Sequence, residues 1–285
     1  MESITCVGEL LVDMIGQEEK SIKENPAFSK RAGGAPANVA VAASRLGADV
    51  TKVATVGDDE FGDFLVEKLE RENVDVSRVM RSDSKTTLAH VALDSEAKPH
   101  FEFYRGADEE ISEEQLDLQL DSSDIVHICS LPLTDPGTAE RLIRFVEETP
   151  ARVSFDPNLR EDIMNDGYAD RLEQLLEHVD MLTAAEEEID FFGGLEKLRR
   201  EIDEIIVTRG EYGAELYHGD DSYRATPPEV DVVDTTGAGD ALTGAYLAFH
   251  RAGRKQALEK AVKAAAISTT SKGAMSSLPE KSELE

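Results

Sequence analysis

Cysteine is scarce: Cys6 and Cys129 are the only two in 285 residues, each inside an apolar stretch (ITCVGELLV and DIVHICSLPL). A disulfide-stapled framework is thereby excluded, and both read as small core residues in a reducing compartment. The histidines His90, His100, His127, His178, His218 and His250 are scattered without H-x-x-x-H spacing, and no C-x-x-C accompanies them, so no zinc motif is present. No apolar run approaches the ~18 residues that a membrane-spanning helix needs. The start, MESITCVGEL, has an acidic Glu2 where a secretory signal carries basic residues, and the expectation is a cytoplasmic chain. Positive charge is also short. Thirty Lys and Arg face 59 Asp and Glu, a formal net charge of -29, far beyond the roughly 2 to 8 that keeps a small domain soluble. Such a surface repels nucleic acid and anionic membrane. Its self-repulsion opposes compaction in dilute buffer, whereas near 1 M salt the screening length shrinks to roughly 3 Å and the penalty largely disappears. The charge points to a high-salt, halophilic setting; an acidic enzyme of ordinary ionic strength is the alternative.

What is present is a regular rhythm. Strand-like runs alternate with amphipathic or Ala-rich ones: ITCVGELLVDMI, APANVAVAASRLG, VTKVATVG, DEFGDFLVEKLEREN, and later SSDIVHICSL, TAERLIRFVEET, ARVSFDP, YADRLEQLLEHV, DMLTA and EIIVTRG. Two Ala-rich helices are predicted near 239–252 and 255–271. This pattern predicts an α/β fold, a doubly wound and mostly parallel sheet with helices on both faces. Two stretches break it, about 13–32 and 85–107, the second alternating like a half-buried hairpin (TTLAHVALDSEAKPHFEFYRG). They read as inserted lid segments within a single domain spanning 1–285, and the closing SSLPEKSELE as a fraying tail.

Two motifs carry chemistry. In VDVVDTTGAGDALTGAYLAFHRAG a β-branched strand runs into Gly237-Ala238-Gly239-Asp240 and directly into a helix, the arrangement of an anion hole: glycines admit a phosphate to the backbone, and the helix start supplies amides and partial positive charge. Asp240 alone could equally be a helix N-cap. There is no G-x-x-x-x-G-K-[ST] and no G-x-G-x-x-G after a strand, so Walker and dinucleotide folds are unsupported. The second motif, Gly33-Gly34-Ala35-Pro36-Ala37-Asn38, opens a helix; Asn38 offers donor and acceptor, although a tight turn and capped helix would look the same.

The pairing of GGAPANVAVAASRLGADVTKVATVGDDEFG with DTTGAGD resembles the two signatures of the ribokinase/PfkB-type sugar kinase family, over essentially the whole chain from Val7-Gly8-Glu9 to Gly273-Ala274. GGAPANVA, FEFYR and SFDPNLR most resemble fructokinases, with 2-keto-3-deoxygluconate kinases next. The resemblance implies a ribokinase-like fold with a small β lid, ATP and Mg2+ as cofactors, and a homodimer through the lid. It makes Asp240 the base on the sugar hydroxyl, with Gly237, Ala238 and Gly239 around the phosphoryl group. It puts Asp13, Gly33, Gly34, Asn38 and lid Arg105 on the sugar, Thr208, Gly210 and Gly213 beside the nucleotide, and Asp156, Asn158 and Arg160 beside the transferred phosphate. Taken alone, Asp13 is a solvated strand end, Arg105 an edge arginine and TRGEYG a turn.

The family's N-x-x-E, which orders the Mg2+ water shell, is altered here: Glu188 matches, but Ala185 replaces the asparagine, and the run Glu186-Glu187-Glu188 also suits a helix start. Asp234 and Thr236 resemble a K+ site. The implied activity is ATP-dependent phosphorylation of a sugar, fructose first. The rivals are 2-keto-3-deoxygluconate, a nucleoside, or a non-catalytic sugar-binding relative.

Overall fold

A computed structural model describes residues 2–93, 99–117, 123–160 and 163–284. Residues 94–98 of the second predicted lid segment fall outside them. The strands are β1 Ser3–Val7, β2 Leu11–Gly16, β3 Phe28–Gly33, β4 Asp49–Gly57, β5 Asp75–Ser82, β6 Leu88–Leu93, β7 Pro99–Tyr104, β8 Ile125–Cys129, β9 Arg152–Asp156, β10 Met181–Ala185, β11 Glu204–Thr208, β12 Ala214–His218 and β13 Asp221–Ala225. The helices are α1 Ala35–Arg45, α2 Glu60–Arg71, α3 Pro136–Glu148, α4 Tyr168–Leu176, α5 Glu186–Phe191, α6 Leu195–Leu198, α7 Ala238–Phe249, α8 Arg254–Ser268 and α9 Ala274–Ser277.

Among the described residues the strands form a nine-stranded sheet, β13-β12-β11-β10-β9-β8-β1-β4-β5, and a four-stranded one, β3-β2-β6-β7. From β11 to β5 neighbours run parallel, and β12 alone reverses. Because successive strand residues point to opposite faces, one strand feeds two cores. Val50, Ala54 and Val56 of β4 join Val39, Leu242, Tyr246 and Leu258 of α1, α7 and α8; Val53 joins Leu142, Phe145, Leu172 and Leu175 of α3 and α4. The doubly wound sheet is thus present, with helices on both faces.

Small residues bring α1 and α7 together. A Cβ on Gly244 of α7 would lie 2.5 Å from the Ala42 Cβ and 2.8 Å from the Val39 carbonyl oxygen, so only glycine permits this spacing. In the four-stranded sheet, called the lid below, β2 pairs antiparallel with β3 and parallel with β6, and β6 pairs antiparallel with β7. No helix among the described residues is long and apolar enough to cross a membrane.

Two expectations are corrected. The run ITCVGELLVDMI is two strands in two sheets, parted at Gly8, whose φ of +136° turns the chain out of the main sheet. The C-terminal tail is docked rather than frayed: Leu278 and Leu284 are buried in the α1/α8 core, Arg45 donates to the Leu278 carbonyl, and Lys260 Nζ to that of Leu284 at 3.4 Å.

Candidate active site

The start of α7 is anchored by a turn. Asp234 Oδ1 accepts the Thr236 amide (3.0 Å) and hydroxyl (2.7 Å), while Oδ2 accepts the Gly273 amide at 2.8 Å. The Ala238 amide donates to the Thr235 carbonyl at 3.2 Å, and the first helical bond runs from Ala241 to the Gly237 carbonyl at 2.9 Å. The amide of Gly239 therefore precedes the intrahelical ladder, at the positive end of the helix dipole. Gly237, not Asp240, occupies the N-cap position, and no side chain caps α7. Asp240 has a different partner: its Oδ2 accepts the Asn38 side-chain amide at 2.8 Å, across 202 positions of sequence. The close packing of α1 on α7 makes that bond.

Asp240, partly open at its surface, is desolvated by the protein around it, and this pushes its carboxyl up to about 7. The negative charges of Glu9 and Asp13 add to the rise; the Asn38 amide and the Arg160 guanidinium oppose it. Asp13 is likewise raised to about 7 by burial, with Arg160 opposing and Glu9 adding. Its carboxylate lies against Gly33, where a Cβ would stand 2.0 Å from Oδ2. Arg160 stacks on lid residue Phe101, with its guanidinium carbon 4.3 Å from the ring centre. Asp13, Asn38, Arg160 and Asp240 thus converge outside the C-terminal ends of the parallel strands, where the order reverses at β1/β8, the usual ligand crevice of such sheets.

Asp156 ends β9, buried, with its carboxyl held well above the usual range by desolvation first and by Glu188 and Asp240 next. It accepts the Asn158 amide at 3.1 Å, and Asn158 takes a left-handed φ of 40° to make that turn. Glu188 bridges two backbones, accepting Leu159 N–H at 2.7 Å and Ala185 N–H at 2.8 Å. The glutamate run therefore does start a helix, and Glu188 still reaches into the site. Thr208, Gly210 and Gly213 lie at the C-terminal end of β11, two strands beyond β9. Arg105 is engaged within the protein: it pairs with fully buried Asp108 at 2.7 Å and donates to Thr134 Oγ1 at 3.0 Å. A buried carboxylate needs a counter-charge, and Arg105 is the nearest in sequence.

Three residues of the site were not singled out from sequence: Phe101 under Arg160, buried Glu9, and Lys52, which is 0% exposed and donates from Nζ to the carbonyls of Gly8 (3.0 Å) and Val53 (3.3 Å). Burial pushes the Lys52 ammonium down to about 8. The V-G-E step at the end of β1 was the available signal for Glu9. Among the described residues one group could hold a metal by proximity, Asp203, Glu204 and His218. Glu204, however, is already satisfied by Arg152 (2.8 Å), Arg254 (3.0 Å) and the Tyr246 hydroxyl (2.5 Å).

The sequence model of the pfkB family carbohydrate kinases matches residues 1–281. Fructokinase-1 of Zea mays is 34% identical over 312 residues, covering 99% of this chain and 96% of that protein. Among solved structures, a fructokinase from Xylella fastidiosa with bound ATP superposes with a TM-score of 0.89 at 31% identity, covering 99% of this chain and 96% of that one. A fructokinase from Vibrio cholerae with fructose, ADP and calcium bound gives a TM-score of 0.87 at 28% identity, covering 100% and 98%.

Proposed function

The chain belongs to the pfkB family of carbohydrate kinases, and on that footing we propose that it is a fructokinase, transferring the γ-phosphoryl group of ATP to a hydroxyl of fructose. The observation that carries this reading is the bond from Asn38 to Asp240, which joins the N-terminal glycine signature to the C-terminal one in a single site. Asp240 accepts the proton of the sugar hydroxyl as that oxygen bonds to the γ-phosphorus and the bond to the ADP oxygen breaks. Its elevated pKa makes the carboxylate a stronger base than a solvated aspartate. Asp13 and the buried, unpartnered Asn38 Oδ1 receive sugar hydroxyls. The amides of Gly237, Ala238 and Gly239 face the phosphoryl group, Ala238 giving up its long bond to Thr235. Arg160 offsets the charge that develops there. Thr208, Gly210 and Gly213 border the nucleotide.

For Mg2+ the donor set fits. Glu188 and Asp240 both act on the Asp156 carboxyl, so the three carboxylates gather negative charge at one place, and each Glu188 oxygen, although it accepts one amide, keeps a lone pair for a metal-bound water. Asp156 and Glu188 would hold the ion through water, and the ion would neutralise phosphate charge. Ala185 contributes its amide in place of a side chain. For K+, Asp234 Oδ1 is taken up by the amide and hydroxyl of Thr236, while Oδ2 accepts only the Gly273 amide and keeps a lone pair. A homodimer through the lid is supported by the outer lid cluster of Phe28, His90 and Tyr104, with ring centres 5.4 and 5.2 Å apart and Tyr104 57% exposed. A cytoplasmic setting is supported by two free, buried cysteines.

Arg105 favours fructose over a sugar acid. With its guanidinium on Asp108, Arg105 has its charge met within the protein, and of the two arginines that the resemblance brings to the substrate and phosphate Arg160 is left to meet a substrate carboxylate. In a panel of sugars with ATP and Mg2+, followed by ADP release, kcat/KM for fructose should exceed that for 2-keto-3-deoxygluconate by at least about tenfold, roughly 1.4 kcal/mol of discrimination. Turnover confined to the sugar acid or to a nucleoside would refute the assignment.

A further inference from the structure

Glu9 sits in the passage between β1 and β2 and is 3% exposed. A buried carboxylate is costly unless its lone pairs are met. Its Oε1 accepts the Ala35 amide at 3.1 Å, and its Oε2 is closed off from solvent without a hydrogen-bond partner. Ala35 opens α1, whose N-cap, Gly34, brings no capping side chain. Gly34 is held at a φ of +105°, and a Cβ there would stand 2.6 Å from the Glu9 carbonyl oxygen. Glu9 therefore does from outside the helix what Ser, Thr or Asp does at an N-cap, supplying an acceptor to an amide of the first turn. Lys52 Nζ, on the Gly8 carbonyl at 3.0 Å, fixes the backbone one residue before it. The same first turn of α1 carries Asn38, whose amide holds Asp240.

We infer that Glu9 is a positioning residue for phosphoryl transfer: by fixing the first turn of α1 it sets where Asn38 holds Asp240. This rests on Asp240 being the base. The chain of contacts runs from Lys52 through Gly8 and Glu9 to the Ala35 amide, and from there along one helical turn to Asn38. A shift in that turn moves the Asn38 donor before it disturbs the nucleotide residues on β11.

Steady-state kinetics of the full chain with fructose and ATP test it. Glu9→Met keeps the volume and removes the acceptor; Glu9→Gln keeps an oxygen for the Ala35 amide. Glu9→Met should lower kcat at least about tenfold with KM for ATP within about twofold, Glu9→Gln should stay within about threefold, and in an Asn38→Ala background Glu9→Met should cost no more than about twofold, since contacting residues acting through one path are not additive. If Glu9→Met does not fold, Glu9→Ala takes its place with the same expectations. Near-normal kcat in that variant, a loss in Glu9→Gln as deep as in Glu9→Met, or the full loss persisting beside Asn38→Ala would overturn the inference. Asp240→Asn in the same assay separates the two failures: an active Asp240→Asn removes the assignment of the base, whereas an inactive one beside a normal Glu9→Met removes only the role of Glu9.

Discussion

A carboxyl group held near neutrality is a base that mild acid can switch off. Asp240 must be ionised to accept a proton, and its burial raises it to about 7, so acid should remove the active form well above the range of an ordinary aspartate. The expected pH profile of kcat/KM, which reports the free enzyme, falls by about tenfold per unit below roughly pH 7. A profile flat down to about pH 5.5 would show that Asp240 is not so shifted or not the base. Residue by residue, the site was unevenly legible. Asp240, Asn38 and Gly33 declared themselves through glycine-rich spacing beside a helix start. Glu9 and Lys52 did not, because a single charge inside VGELLV or VTKVAT reads as the polar face of a strand; Lys52 is buried on β4, which lies between β1 and β5, and Glu9 in the passage where the chain leaves β1 for β2. Arg105 was read toward the sugar because its counter-charge, Asp108, follows a turn that local pattern does not foretell.

At the scale of elements, the alternation of strands and helices foretold a mostly parallel sheet covered by helices but not the order of its strands, and the absence of a helix after 85–107 set that stretch apart from the rhythm. The division of β1 from β2 was hidden because apolar residues on both sides of Gly8 are buried, Ile4 and Cys6 on the β1 side and Leu11 and Val12 in β2, so the stretch reads as one strand. The tail was misread for the opposite reason. SSLPEKSELE is polar on average, yet its two leucines lie against α1 and α8. Leu284 is 4% exposed, and its truncation leaves a cavity there. Leu284→Ala should cost about 2 kcal/mol and lower Tm by roughly 4–8 °C, with kcat within about twofold of the unaltered chain. An unchanged melting curve would mean that the tail does not hold this place in solution.

For the whole molecule the dominant quantity is the charge of -29. Local pairs such as Arg45 with Glu72 at 2.7 Å and Arg152 with Glu204 at 2.8 Å use up part of a small supply of cations, and the remaining carboxylates repel one another. Added KCl shortens the reach of that repulsion, so Tm and activity should rise together by a clear margin, at least about 5 °C in Tm, between dilute buffer and molar KCl. A Tm independent of KCl would remove the halophilic reading and leave the kinase chemistry intact. That chemistry also meets the charge directly, because ATP is a polyanion entering an acidic protein. The α7 amides and Arg160 must then supply locally what the surface denies globally. All of this turns on Asp240. The decisive measurement is the turnover of fructose by the chain carrying Asp240→Asn at a KCl concentration where the unaltered chain is most active. The expected result is a kcat lower by about 10² to 10⁴ with the melting temperature preserved; near-full turnover by that variant would contradict the catalytic assignment.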